Sequence, residues 1–204
     1  MTDQNRILII VDLEATCDEM ETDAIRGPNR EIIEIGAVKF DLDTSKEIDS
    51  FQAFVRPVIN PLLSPFCRNL LNISQEDVDG AEMFPFVHKT FLDWADTGAT
   101  AWGSWGEFDA YQWGHDAERN NLQIALPWPH LNLKTSFAKA MGLKRRGMGG
   151  AFLELGLEME GERHRALPDV RHVIRLLNAS PVFLSYVKAG CDSLPKFPDL
   201  ELRP

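Results

Sequence analysis

Asp12 and Glu14 follow directly on Ile7-Leu8-Ile9-Ile10-Val11, an apolar run that reads as a central β-strand. At i and i+2 their side chains share one face of that strand. Two carboxylates side by side at the edge of a core repel and desolvate each other, which raises their pKa values. A divalent cation removes both penalties, and oxygen-only ligands favour a hard ion, Mg²⁺ or Mn²⁺, over zinc. Solvated acids just past the strand end are the plainer alternative. Asp109, within Trp105-Gly106-Glu107-Phe108-Asp109, follows a short strand and falls in the first turn of a helix, where the helix dipole alone already favours an acid. Glu107 and Asp116 compete with it as ligands. In His164-Arg165-Ala166-Leu167-Pro168-Asp169, Pro168 suits the first turn of a helix, so Asp169 lies just inside it. His164 then sits on the entering loop, near solvent and suited to taking a proton from water. His88, His115, His130 and His172 read as ordinary histidines.

The elements that must bring these groups together follow from pattern. Residues 7–11, 31–40 and 48–55 are apolar or β-branched and separated by turn material, which predicts an antiparallel meander. Ser64 and Ser74 can each start a short helix, and residues 84–94 repeat apolar side chains at helical spacing. Further on, the pattern predicts a strand over 99–102, a helix over 108–121, a last strand over 132–134, short helices over 135–141 and 150–157, and a helix running from near Pro168 to Asn178. Three strands, then helices mixed with two short strands, predict an α/β sheet covered by helices. Residues 1–190 are expected to form one domain, with 191–204, which holds three prolines, as a loose tail.

Composition bounds the function. The chain has 204 residues, is 44% hydrophobic and 25% charged, and needs no disulfide or structural metal to build a core. No apolar run approaches a membrane span of ~18 residues, and the first residues lack the pattern of a secretory signal. Three cysteines form no paired framework, which suits the cytoplasm. A net charge of −10 argues against a generic nucleic-acid coat protein. Residues 131–175, however, carry nine basic against five acidic side chains, so a polyanion could be held locally and released easily. Arg145, Arg146, Arg163 and Arg165 are the candidates for backbone phosphates, and Trp102, Trp105 and Phe108 for base stacking. No phosphate-binding Gly-x-x-x-x-Gly-Lys-Ser/Thr loop, Gly-x-Ser-x-Gly elbow or Cys-x-x-Cys pair competes.

Asp12-Leu13-Glu14-Ala15-Thr16-Cys17, Trp105 to Asp109 and His164 to Asp169 together resemble the three motifs of the DnaQ-like DEDDh 3′→5′ exonucleases. The first motif, with Glu31 to Ala37, Leu63 to Cys67 and His130 to Lys134, is most similar to the KapD and Eri (histone-mRNA 3′-end exonuclease) group. The resemblance implies a ribonuclease-H-like fold with a mixed five-stranded sheet flanked by helices. It implies two divalent cations, Mg²⁺ or Mn²⁺, held by Asp12, Glu14, Asp109 and Asp169, with His164 as general base. Glu14, Ala15 and His164 would meet the terminal nucleotide. The expected substrate is the 3′ end of single-stranded RNA or a short oligonucleotide, with DNA as a second option; a DNA-trimming or proofreading exonuclease and a non-catalytic nucleic-acid-binding module are the rival readings. A homodimer is left open, since no apolar stripe argues for one.

Overall fold

The computed structural model describes residues 6–20, 25–95, 99–122, 126–161 and 164–194. The strands β1 (Ile7–Ala15), β2 (Ile32–Asp41) and β3 (Lys46–Phe54) form the expected antiparallel meander. β4 (Ala99–Ser104) and β5 (His130–Asn132) add in parallel on the other side of β1, giving the order β3-β2-β1-β4-β5. The helices are α1 (Pro65–Leu71), α2 (Gln75–Asp79), α3 (Phe84–Ala95), α4 (Phe108–Arg119), α5 (Leu133–Met141), α6 (Met148–Glu154), α7 (Ala166–Ala179) and α8 (Pro181–Ser193).

Strand alternation sorts the core into two layers. Leu8 and Ile10 of β1, with Val38 and Phe40 of β2, pack among Val170 and Val173 of α7, Phe137 of α5 and Phe183 of α8. Ile9, Val11 and Leu13 turn to the other face, against Phe84 and Phe91 of α3 and Trp113 of α4. Each fully buried side chain of this size contributes about 1.5–3 kcal/mol, so the sheet is committed on both faces. The same alternation puts Asp12 and Glu14 on the α7 face. β1 outlasts its apolar run because pairing continues through Asp12↔Gly36, Leu13↔Ile35 and Glu14↔Glu34.

The contact of α7 with β2 is unusually close. A Cβ placed on Gly36 would lie 2.2 Å from the Leu167 nitrogen and 2.4 Å from the Ala166 carbonyl carbon. Only glycine lets the first turn of α7 lie directly on the sheet. A third apolar cluster, with Ile33, Cys67 and Leu71, seats α1 and α2 beside the end of β1. Both short helices start as expected: Ser64 accepts from the Cys67 amide, and Ser74 forms a capping box with Asp77.

The structure differs from expectation at several places. The last strand is His130–Asn132 rather than 132–134, because the Asn132 side chain accepts from the Thr135 amide and starts α5 at Leu133. The helix α8 was not anticipated; Ser180 caps it and Pro181 opens it. α8 runs through the domain boundary placed at residue 190 and carries Cys191, which is buried in the core. The remainder of the expected tail, 195–204, lies outside the described residues.

Candidate active site

One ligand atom each from Asp12, Glu14 and Asp169 lies within 4.8 Å of the others. The first two come from β1, and Asp169 comes from the first turns of α7, which Gly36 allows to settle onto the same face. Asp109 is not in this group of three. It is buried at the start of α4, on the other layer, and its Oδ1 accepts from the Leu13 amide at 3.1 Å. Its charge still reaches the cluster, as the shift at Asp12 shows.

Burial, then the charges of Asp109, Glu14 and Asp169, hold the Asp12 carboxyl well above the usual aspartate range. Burial, followed by Asp169 and Glu34, pushes Glu14 up to about 8. Asp109 is pushed up to about 6 by burial, against the pull of hydrogen bonds from Ser104 and Leu13. Among the described residues the ion pairs go elsewhere, and no lysine or arginine pairs with Asp12, Glu14 or Asp109. Buried acids that no lysine or arginine among the described residues neutralises are a fit for oxygen-seeking divalent ions, which would replace the protons.

Two cavities flank the cluster. One, of about 410 Å³, is lined by Glu14, Ala15, His164, Arg30, Phe66 and Phe108 among others. The second, of about 340 Å³, is lined by Asp12, Asp169, His164, Trp105, Met148 and Met159 among others. His164 borders both. It is exposed, and it adopts φ +57°, the left-handed region that non-glycine residues rarely occupy. Its amide donates to Asp169 Oδ2 at 3.1 Å, closing the turn onto the acid.

The other candidates separate clearly. Asp116, a rival ligand, is occupied by Gln112 and Arg119, and it has no place in the cluster. Glu107 is spent on Tyr111 and Asn132. Trp102 is buried and in tilted ring contact with His130, so it offers no ring to a base. Trp105 borders the second cavity but packs on Phe137 and Phe183, and its indole N–H is buried with no partner among the described residues. Phe108 is exposed at the first cavity, which is also lined by a ring that sequence reasoning passed over, Phe66 of α1. Arg165, expected at a phosphate, is instead bound to Glu34, and Arg146 pairs with Glu154; Arg145 is exposed. Arg163 lies outside the described residues. His172, read as ordinary, contacts Asp169 Oδ1 through Nδ1 at 3.0 Å and the Glu160 carbonyl through Nε2 at 2.9 Å. Its i+3 spacing from Asp169 on a helix was the signal available.

Clustered carboxylates at one end of the central strand of a mixed five-stranded sheet define the ribonuclease-H-like architecture of the DEDDh nucleases. The chain belongs to the RNase_T exonuclease family, whose model matches residues 9–177. It is 28% identical over 204 residues to the 3′-5′ exonuclease eri1 of Schizosaccharomyces pombe, covering 84% of this chain and 67% of that one. It is 29% identical over 182 residues to the 3′-5′ exoribonuclease 1 of Mus musculus, covering 83% of this chain and 51% of the relative. The chain thus spans about two thirds of the yeast relative and about half of the mouse one. Its fold overlays the crystal structure of the nuclease domain of 3′hExo, a DEDDh family member bound to rAMP, with a TM-score of 0.78 at 26% identity, covering 96% of this chain and 98% of that one. A 3′-exonuclease recognising the 3′ end of a histone mRNA stem-loop matches at 0.78 and 25% identity, covering 95% of this chain and 73% of that one.

Proposed function

We propose that the chain is a metal-dependent 3′→5′ exonuclease that hydrolyses phosphodiester bonds from the 3′ end of single-stranded RNA or short oligonucleotides. The observation that carries this reading is the meeting of Asp12, Glu14 and Asp169 within 4.8 Å beside His164, where two cavities adjoin. Asp12, Glu14 and Asp169 would hold two divalent ions, Mg²⁺ or Mn²⁺, with Asp109 adding charge from behind Leu13. Bound there, such ions acidify the attacking water and offset the charge that builds on the phosphate and its leaving oxygen.

The chain's own residues supply the rest. Glu14, Ala15 and His164 face the cavity for the terminal nucleotide. Phe66 and Phe108 offer rings at its wall, and stacking on them tolerates any base. His164 takes the proton of the attacking water at its imidazole. Arg145, exposed on the basic stretch, contacts phosphates upstream. RNA is favoured because several relatives that match over most of this chain, among them the 3′-5′ exoribonuclease 1 of Mus musculus, are named exoribonucleases. All three cysteines are free thiols, which suits a reducing compartment, and we place the protein in the cytoplasm. Among the described residues no helix is long and apolar enough to cross a membrane.

A 5′-labelled oligonucleotide, in RNA and DNA versions with Mg²⁺ or Mn²⁺, tests this. Laddering from the 3′ end of the RNA is expected. Faster trimming of the DNA would move the reading to a DNA exonuclease. An intact strand that stays bound would overturn catalysis in favour of a binding module.

A further inference from the structure

We propose that Glu34 and Arg165 form a positioning pair that fixes the His164 turn and the first turn of α7 against β2. This rests on the roles given above to His164 and Asp169. Glu34 is fully buried, on the same face of β2 as Gly36, and directly opposite Glu14 in the β1–β2 register. A carboxylate there is costly unless each oxygen is engaged, and both are. Oε1 accepts from Arg165 Nη2 at 3.0 Å and from Gln52 Nε2 at 2.7 Å. Oε2 accepts from Arg165 Nε at 3.1 Å and from the Ala166 amide at 3.2 Å.

The Ala166 contact gives the pair its leverage. Ala166 is the first residue of α7, and the residue at its N-cap, Arg165, makes no side-chain cap. Glu34 supplies the cap from another strand and places a negative charge at the positive end of the helix. Arg165 therefore ties the residue next to His164, and Glu34 ties the residue after that, to one point in the sheet. His164 sits in a strained left-handed conformation that persists only where the surroundings impose it. It is imposed from both sides: the His164 amide bonds to Asp169, and Arg165 is held by a forked contact to Glu34. Arg165 is 17% exposed, with its guanidinium also over the Phe54 ring, so it is poorly available to a phosphate.

Arginine is required for the fork, since lysine offers one point charge and no parallel pair of N–H groups. In the full chain, Arg165→Lys is expected to keep KM within about threefold while kcat falls about 10- to 100-fold, the scale of a misplaced catalytic group. The double variant Glu34→Gln with Arg165→Met removes the unpaired buried charge that either single change leaves. Its Tm should return toward that of the wild type while kcat stays low. Recovery of both would overturn the proposal and make the pair merely structural. A raised KM with a flattened salt dependence and unchanged kcat in Arg165→Lys would also overturn it, in favour of a phosphate contact. A second readout does not need turnover: the Mn²⁺-induced broadening of the His164 ring signals by NMR should weaken in Arg165→Lys. Unchanged broadening counts against the positioning role. A wild-type chain that does not cleave, yet shows the broadening and its loss in the variant, supports the positioning pair while refuting the nuclease reading.

Discussion

The backbone amide of Leu13, between Asp12 and Glu14, donates to Asp109 Oδ1 at 3.1 Å. One hydrogen bond thus joins the strand that carries two acids to the helix that carries another, across the edge between the two core layers. Asparagine keeps that acceptor and drops the charge. Asp109→Asn should therefore fold normally, with a metal-free Tm equal to or above that of the wild type, because it removes one of the charges crowding Asp12. Its Mn²⁺ affinity, read by titration calorimetry, should fall. Unchanged affinity would leave Asp109 as a structural acid only.

The acid cluster also sets a pH dependence. Glu14 is held up to about 8 in the fold against an ordinary 4.5, so between these values the folded state carries more proton than the unfolded chain and stability falls as pH rises. His88, pushed down to about 4 from 6.5 by burial, pulls the other way below 6.5. The window from pH 6.5 to 8 is therefore the informative one. In a chelator the Tm should drop by about 2–4 °C across it, the scale of about 1 kcal/mol for a chain of this size. Mn²⁺ should flatten the slope and stabilise most near pH 8. Glu14→Gln should make the fall shallower, leaving the share of Asp12, which is also held high, while Cys67, a thiol pushed down to about 7 by its hydrogen bond from Cys17, works in the opposite direction.

For His164 the useful substitution is asparagine, which tolerates the left-handed conformation better than alanine does. His164→Asn should preserve the turn, the amide contact to Asp169 and the Mn²⁺ affinity, and lower kcat by about 10²–10⁴-fold, the usual contribution of a general base. Hydrolysis at the wild-type rate would remove His164 from the proton transfer.

Asp116 gives the opposite signature. Its carboxylate is buried and bound to Gln112 and Arg119, so Asp116→Asn should cost about 1–3 kcal/mol in urea unfolding. kcat, KM and Mn²⁺ affinity should stay as in the wild type. A loss of Mn²⁺ binding would restore it as a ligand.

These outcomes reflect what was legible in the residue order. Asp12 and Glu14 were legible because strand alternation is a local rule, and the placement of Asp109 and Asp169 followed from helix starts marked by local signals. The meander was legible from the spacing of its apolar runs. What stayed hidden depended on distant partners. Glu34 sits inside a strand that otherwise reads as apolar, and nothing local tells that an arginine 131 residues later will meet it. For that reason Arg165 was read by its charge, as a phosphate contact, rather than by its partner. His172 differs, because its i+3 spacing from Asp169 on one helix is itself a local signal. The helix α8 goes unassigned in the sequence reading, although Ser180 and Pro181 mark its start.

The seat that Gly36 offers α7 has a consequence for how the protein comes into being. Strand and helix are separated by about 130 intervening residues, and loops that long close late relative to local hairpins. In a chain emerging from the ribosome, the meander that carries Asp12 and Glu14 can pair before Asp169 has been made. The cluster of Asp12, Glu14 and Asp169 is therefore complete only once nearly the whole domain has been synthesised.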